Sequence, residues 1–322
     1  MNAIVVDQFG PPEVLQMREV PDLVPAHDQV LVKLHMSGVN PVDTYIRSGV
    51  YGRLPEVPYT PGFDGSGVIA ACGSSVRGLT RGLRVYVSGS ITGTYAEACL
   101  CLPTQIHTLP RQAAFEFGAC MGIPYATASY ALFHRAKVRR GQTILIHGAT
   151  GGVGIAALQL AKRAGIKVLA TYGSEAGKQL LIQLGADGVF NHNEAGYEAH
   201  ILETTEGQGV PVILEMLANV NLGRDLPLLA FGGVVCVIGS RGNVQIQPRD
   251  LMSRDAEIRG VMLVNASQGV LAQIHGDFFS GLADGSIKPV IRKTFSLERA
   301  SEAHEMQMLR GACGKILISH EK

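Results

Sequence analysis

Gly148-Ala149-Thr150-Gly151-Gly152-Val153-Gly154 is the stretch that decides the fold. It follows an apolar strand candidate, Thr143 to Ile146, and opens a helical pattern from Val153 to about Ala164. Strand, glycine turn and helix in that order is the setting in which a glycine fingerprint binds a dinucleotide. Small residues are required at three places. Ala149 permits the tight turn, Gly151 lets the backbone approach a pyrophosphate, and Gly154 lets the helix pack closely on the sheet. The helix start then offers free N–H groups and a positive dipole end to phosphates. Ala stands where the first glycine of G-x-G-x-x-G belongs, so the pattern is met only in part.

Outward from this turn the chain alternates strands and helices. A strand is expected over Lys167 to Tyr172, a helix over about Glu175 to Leu184, and a short strand over Gly188 to Phe190. Val210 to Leu214 and Val234 to Ile238 read as further strands, with a helical stretch around Leu222 to Leu229 between them. Such alternation predicts a parallel, doubly wound α/β sheet. The first 110 or so residues read differently. Val30 to His35, Gly65 to Ala71 and Leu83 to Val87 are short strand candidates between Pro, Gly and Asn clusters, the pattern of a barrel-like or sandwich domain. Near the end, a helix is expected from Leu297 to about Leu309 and a closing strand over Lys315 to Ile318. Both ends thus differ from the middle, and a nucleotide domain over 121–260, inserted into a β-rich domain made of 1–120 plus 261–322, is the simplest organisation.

Composition narrows the function classes. Of 322 residues, 28 are basic and 27 acidic, a net charge of +1 with no charged block, so the electrostatic footprint of a nucleic-acid binder is missing. The six cysteines are scattered, and only Cys99 and Cys101 are closely spaced, without the second pair a zinc site needs. Free thiols in a reducing compartment are expected. The start lacks a signal-peptide pattern and no apolar run is long enough to cross a membrane, so the expected location is the cytoplasm.

The choice of dinucleotide rests on the end of the second strand. A carboxylate there usually bonds the adenosine ribose hydroxyls of the unphosphorylated cofactor. Here the residues are Thr171-Tyr172-Gly173-Ser174, with no carboxylate to repel a 2′-phosphate. Ser174 can donate a hydrogen bond and Lys178 can supply positive charge, which favours NADPH; an ordinary solvated helix lysine is the plain alternative for Lys178.

Longer motifs carry a family resemblance. They are Gly38-Val39-Asn40-Pro41-Val42-Asp43-Thr44-Tyr45-Ile46-Arg47-Ser48-Gly49, Pro58-Tyr59-Thr60-Pro61-Gly62, the fingerprint turn, Glu215-Met216-Leu217-Ala218-Asn219-Val220-Asn221-Leu222 and Gly239-Ser240-Arg241-Gly242. Over nearly its whole length the chain resembles the zinc-free quinone oxidoreductase branch of the medium-chain dehydrogenase/reductases, the branch of zeta-crystallin. The resemblance implies a GroES-like β domain with a Rossmann domain inserted in it, NADPH as cofactor, a quinone as substrate and a homodimer or homotetramer. It implies cofactor contacts at Tyr45, Thr150, Gly151, Gly152, Val153, Gly173, His192, Asn221, Ile238, Gly239, Ser240, Arg241, Val261, Met262 and Leu263. Several of these follow predicted strands directly, the usual ligand edge of an open α/β sheet. His192 is expected to bond the cofactor rather than act as a base, and the other nine histidines are expected to be structural. Many relatives carry a lysine at the position of Gly177, whereas here it is Lys178, roughly 100° further round a helix.

Zinc-dependent relatives hold the metal with a Cys where this chain has Asn40 and with a His where it has Phe63, within Gly62-Phe63-Asp64. Asn40 and Asp64 alone make a poor zinc site, so no metal is expected. The remaining chemistry is direct hydride transfer, with the protein aligning cofactor and substrate. Asn40, Tyr45 and Tyr51 are the candidates to line the substrate cleft. Two alternatives stay open: an enone or alkenal reductase using the same hydride, and a binding or structural protein of the lens or RNA-associated kind that retains the cofactor site.

Overall fold

The computed structural model describes every residue except Arg310, Ala312 and Lys322. The chain divides into two compact units, Met1–Ile123 with His275–Lys322, and Pro124–Ile274.

The second unit is built on a parallel sheet. Its strands lie in the order Gly188–Asn191, Lys167–Tyr172, Thr143–Ile146, Val210–Glu215, Leu229–Val237, Glu257–Gly260. Thr143–Ile146 comes first in the chain and lies in the middle; the chain winds outward from it one way and then the other. Such a switch point opens a crevice beyond the carboxyl ends of the two central strands. The sequence explains the burial. Ile144, Leu145, Ile146, Val168, Ala170, Ile213 and Leu214 are covered on both faces, as strands flanked by helices must be. The helix Gly152–Arg163 packs through Ile155, Ala156, Leu158 and Leu160, and its apolar side faces this core.

The first unit holds a mostly antiparallel sheet. Its order is Ile291–Ser296, Lys315–Ser319, Val30–Val39, Asp64–Cys72, Arg84–Ser88, Ile106–Thr108, with Ala98–Cys101 also pairing to Val30–Val39. Alternating apolar residues of these strands, among them Val30, Val32, Leu34, Val85 and Val87, form one core cluster. A second gathers Ile4, Val6, Val39, Tyr95, Ile316 and Ile318.

Two differences from the sequence reading have physical causes. Residues 261–274 were expected in the first unit and lie in the second. Glu257–Gly260 pairs in parallel with Leu229–Val237, and the Val261 N–H extends the pairing to the Val237 carbonyl at 2.9 Å. The helix expected around Leu222 to Leu229 instead spans Ala218–Asp225, with a single 3-10 turn at Leu226–Leu228 where Pro227 interrupts the α pattern.

Candidate functional site

Every strand of the parallel sheet is followed by residues that the family resemblance or the chain's own pattern leads one to expect at the cofactor. Thr150 to Val153 follow Thr143–Ile146, Gly173, Ser174 and Lys178 follow Lys167–Tyr172, and His192 follows Gly188–Asn191. Asn221 follows Val210–Glu215, Ile238 to Arg241 follow Leu229–Val237, and Val261 to Leu263 follow Glu257–Gly260. The topology therefore brings residues spread over more than a third of the chain to one edge of one sheet.

The fingerprint turn is made by Gly148 rather than Ala149, a correction to the sequence reading. Gly148 has φ of 62°, a conformation costly for any residue with a Cβ, while Ala149 is fully buried beneath it. Gly154 is demanded by packing, since a Cβ there would lie 2.5 Å from both Ala149 Cα and the Gly148 carbonyl oxygen. Gly151 caps the helix Gly152–Arg163 with no side-chain hydrogen bond, so the first-turn N–H groups are left for a ligand.

Hydrogen bonds tie the neighbouring loops together. The Ala218 N–H donates to the Gly239 carbonyl and the Arg241 N–H to Asn219 Oδ1, both at 2.9 Å. The Ile238 N–H donates to the Glu215 carbonyl at 2.8 Å. His192 hangs from the Tyr172 carbonyl by its N–H at 3.0 Å, and its ring lies against Gly173, where a Cβ would come within 2.7 Å of Nε2. Desolvation and then the charge of His147 lower the His192 pKa, so its ring is neutral at pH 7 and able to accept or donate one hydrogen bond. Ser174 caps the helix Glu175–Gln183, accepting the Gly177 N–H at 3.2 Å while keeping its own proton to donate. Lys178 lies one turn further on, its N–H bonded to the Ser174 carbonyl at 3.0 Å. The departure at Gly177 also has a reason: a Cβ there would meet Thr150 Cγ2 at 2.9 Å, so this buried position turns toward the fingerprint loop and not outward.

Beneath this edge lies a group the sequence reading missed. His147, read as structural, sits between the strand Thr143–Ile146 and the turn, with Nε2 2.9 Å from Asp225 Oδ1 and Nδ1 3.3 Å from Thr171 Oγ1. Glu215 ends its strand beside them. Burial opposes a charge on His147, but Asp225 and Glu215 more than offset it and raise the imidazole pKa. Burial pushes the Glu215 carboxyl up to about 7; His147 pulls against the shift and Asp225 adds to it. The one sequence signal was position, since the histidine directly precedes the fingerprint.

In the first unit, Tyr45 is half-buried on the helix Pro41–Arg47, and Tyr51 is half-buried just beyond it. Asn40 is 1% exposed and spent on internal bonds: its Nδ2 donates to Asp64 Oδ2 at 2.9 Å and its Oδ1 accepts from the Lys315 ammonium. Asp64 Oδ1 accepts the Ile123 N–H at 2.8 Å, and Lys315 Nζ stands 3.6 Å from Asp64 Oδ2. These groups do not fit a zinc ion, because the ammonium already faces both oxygen donors and Phe63 offers no ligand. Next to them Asp43 accepts the Asn40 N–H at 2.7 Å and the Tyr95 hydroxyl at 3.3 Å. Burial pushes the Asp43 carboxyl up to about 7 against the pull of the Asn40 N–H and Lys315.

A glycine turn and an uncapped helix N-terminus at the carboxyl edge of such a sheet, in a chain whose other unit is an antiparallel β fold, define a dinucleotide-dependent dehydrogenase/reductase. Residues 26–140 match the alcohol dehydrogenase GroES-like domain and residues 152–276 the zinc-binding dehydrogenase family. The chain is 45% identical to the human quinone oxidoreductase over 320 residues, covering 99% of this chain and 97% of that one. It is 48% identical over 323 residues to the mouse quinone oxidoreductase, with the same coverage. The structure of Escherichia coli quinone oxidoreductase complexed with NADPH superposes with a TM-score of 0.91 at 28% identity, covering 99% of this chain and 100% of that one. The chain belongs to the quinone oxidoreductase (zeta-crystallin) family of the medium-chain dehydrogenase/reductases.

Proposed function

We propose that this protein is an NADPH-dependent, zinc-independent quinone reductase. The observation that carries the reading is the cofactor edge itself, a helix N-terminus with no side-chain cap behind a glycine turn, with Ser174 in place of a carboxylate beside it. NADPH, when bound, supplies the hydride. The protein's part is to hold it: N–H groups of the first turn of Gly152–Arg163 face the pyrophosphate, Ser174 and Lys178 face the 2′-phosphate, and His192, Asn221 and the Ile238 to Arg241 and Val261 to Leu263 segments fix the rest. Tyr45 and Tyr51 are proposed on the substrate side, with Asn40 anchoring the helix that carries Tyr45. A quinone is electrophilic enough to take a hydride without a Lewis acid, and the product oxygen takes its proton from a hydroxyl or water.

Oxidation of NADPH, and separately NADH, is to be followed with naphthoquinone, phenanthrenequinone and an alkenal, with and without chelator. Quinone turnover with NADPH, unaffected by chelator, is the expected result. Turnover of the alkenal alone would move the protein to double-bond reduction, and cofactor binding without any turnover would make it a binding protein.

A homodimer or homotetramer in the cytoplasm is part of the proposal. The outermost strand Glu257–Gly260 has no strand on its far side among the described residues, where a second copy can pair, and all six cysteines are free thiols, as a reducing compartment keeps them. Sedimentation velocity and cell fractionation check the two points; a monomer or a secreted protein would contradict them. Among the described residues no helix is long and apolar enough to cross a membrane.

A further inference from the structure

The buried group under the cofactor edge is costly to keep. His147, Glu215 and Asp225 are each no more than 1% exposed, and their polar atoms lie within 4.8 Å of one another. Among the described residues Glu215 Oε2 and both Asp225 carboxylate oxygens have no hydrogen-bond partner, and His147 Nε2, 2.9 Å from Asp225 Oδ1, meets it as an ion pair. One imidazolium and two carboxylates leave an uncompensated buried negative charge, which is unfavourable unless a further proton is shared. The surroundings do not supply the missing charge. On the helix Tyr197–Thr204, the Tyr197 ring stands edge-on to His147, and Glu198 faces the group while pairing with Arg224 at 3.7 Å. His192, past the strand Gly188–Asn191, is neutral at pH 7. Glu198 and Arg224 cancel, and the group must balance itself.

What the group holds explains why the cost is borne. One oxygen of Glu215, Oε1, accepts both the Leu217 N–H and Asn221 Nδ2, the latter at 3.2 Å. These bonds fix the segment between the strand Val210–Glu215 and the helix Ala218–Asp225, on one side of the crevice where the chain switches direction. On the other side, His147 and the Gly148 N–H both meet Thr171 Oγ1 at 3.3 Å, which fixes the start of the fingerprint turn. Asp225 ends the helix that begins at Ala218, so it ties His147 back to the segment Glu215 controls.

We infer that Glu215 is a positioning residue for the cofactor: its ionised carboxylate, steadied by the buried His147–Asp225 pair, holds Asn221 and the Leu217 backbone in their binding arrangement, and a proton on Glu215 loosens it. The inference rests on the proposed cofactor contact at Asn221. It predicts that cofactor affinity changes with the protonation of a group that never touches the cofactor. A carboxylate accepts hydrogen bonds about twice as strongly as its acid, so the expected loss on protonation is about tenfold in affinity.

The test is titration of the full chain with NADP⁺, the acid-stable form, between about pH 6 and pH 8. The wild type is compared with Glu215→Gln, His147→Asn and Asn221→Ala, each checked for folding by circular dichroism. At pH 8 Glu215→Gln is expected to bind about tenfold more weakly than wild type, and the gap is expected to close toward pH 6 as the wild-type carboxylate takes up its proton. Taking the ratio of the two cancels titration of the cofactor's own 2′-phosphate. His147→Asn removes the cation that opposes proton uptake, so its loss of affinity is expected to set in at higher pH. A Glu215→Gln protein with wild-type affinity and pH profile, alongside a weakened Asn221→Ala, overturns the inference and leaves the cofactor contact standing. Wild-type binding by Asn221→Ala at every pH removes the contact itself. Should Glu215→Gln not fold, the His147→Asn profile decides alone, since an unshifted profile contradicts the shared proton. One tightly held metal ion per chain, found by elemental analysis and needed for NADP⁺ binding, would also overturn it.

Discussion

Alanine at Gly151 and at Gly154, one at a time, separates what the turn does for the cofactor from what it does for the fold. A Cβ on Gly151 would meet one atom within 4 Å, the Gly148 carbonyl oxygen at 3.5 Å, and the residue's φ of −79° and ψ of 171° suit alanine. Gly151→Ala is therefore expected to melt with the wild type, within about 0.5 kcal/mol. Its methyl would stand where the pyrophosphate is proposed to meet the backbone. Losing one charge-assisted hydrogen bond costs about 1.5–3 kcal/mol, or roughly a 10- to 100-fold weaker NADPH Kd. At Gly154 the methyl would meet backbone on three atoms, Ala149 Cα and Gly148 O at 2.5 Å and Ala149 C at 2.7 Å. Turn and helix must part by about 1 Å to restore ordinary contact. Overpacking of that kind costs about 1–3 kcal/mol, and the better helix propensity of alanine returns about 1 kcal/mol. The net loss is about 0–2 kcal/mol, which lowers Tm by up to about 8 °C for a unit of this size, and binding falls with it because the phosphate-facing N–H groups are displaced. Circular dichroism melts and NADPH fluorescence titrations in one buffer give both quantities. A Gly151→Ala protein that binds NADPH like wild type, or a Gly154→Ala protein more stable than wild type, would refute the reasoning.

Lys315→Met is expected to destabilise the first unit by about 3–5 kcal/mol near pH 8, the cost of leaving a buried charge unpaired. Burial already raises the Asp64 pKa and Lys315 is the main opposing influence, so its removal raises that pKa further. A carboxyl raised in the folded state favours folding at low pH and loses that contribution as pH rises. The deficit should thus shrink near pH 5, and equal deficits in melts at the two pH values would rule out this account. The same sign governs Asp43, raised from 3.8 to about 7. Between those values the folded state binds more proton than the unfolded one, so wild-type stability falls as pH rises from about 4 to 7. Asp43→Asn is expected to lose less stability over that range, and a slope as steep as wild type in its melts would show that Asp43 is not responsible.

The parts of the fold legible in the sequence are those whose determinants are contiguous. The strands Thr143–Ile146 and Lys167–Tyr172 agree residue for residue with the reading, because a buried apolar run bounded by turn residues specifies itself. The strand Leu229–Val237 begins five residues before the Val234 expected for it. Its early part contains Phe231-Gly232-Gly233, and pairing jumps from Val210↔Leu229 to Val212↔Val234, so an irregularity hides the strand from any periodic reading. Much of the candidate site was legible for the same reason as the central strands, since the fingerprint is one short stretch. His147, Glu215 and Asp225 were not, because each alone reads as an ordinary buried or capping residue and only the sheet order brings them together. Lys315 is further still from its partner Asn40 along the chain, 275 residues away.

The two units solve one electrostatic problem alike, and this says where the stability they give up is spent. Each buries a single cation with two carboxylates, Lys315 with Asp64 and Asp43 in the first, His147 with Asp225 and Glu215 in the second. In each set burial, only partly offset by the one cation, pushes a carboxylate, Asp43 or Glu215, up to about 7, and it raises Asp64 as well. Core packing alone would have been served by apolar residues of similar volume, often at no loss of stability. Each set instead directs hydrogen bonds at a particular segment. Asp43 and Asn40 fix the start of the helix Pro41–Arg47, which carries Tyr45, and Glu215 fixes Leu217 and Asn221. Apolar packing fills space without setting the direction of a backbone N–H or a side-chain amide, whereas a buried carboxylate sets both. The charges lie beneath the segments proposed to meet substrate and cofactor because those are the segments whose orientation matters most.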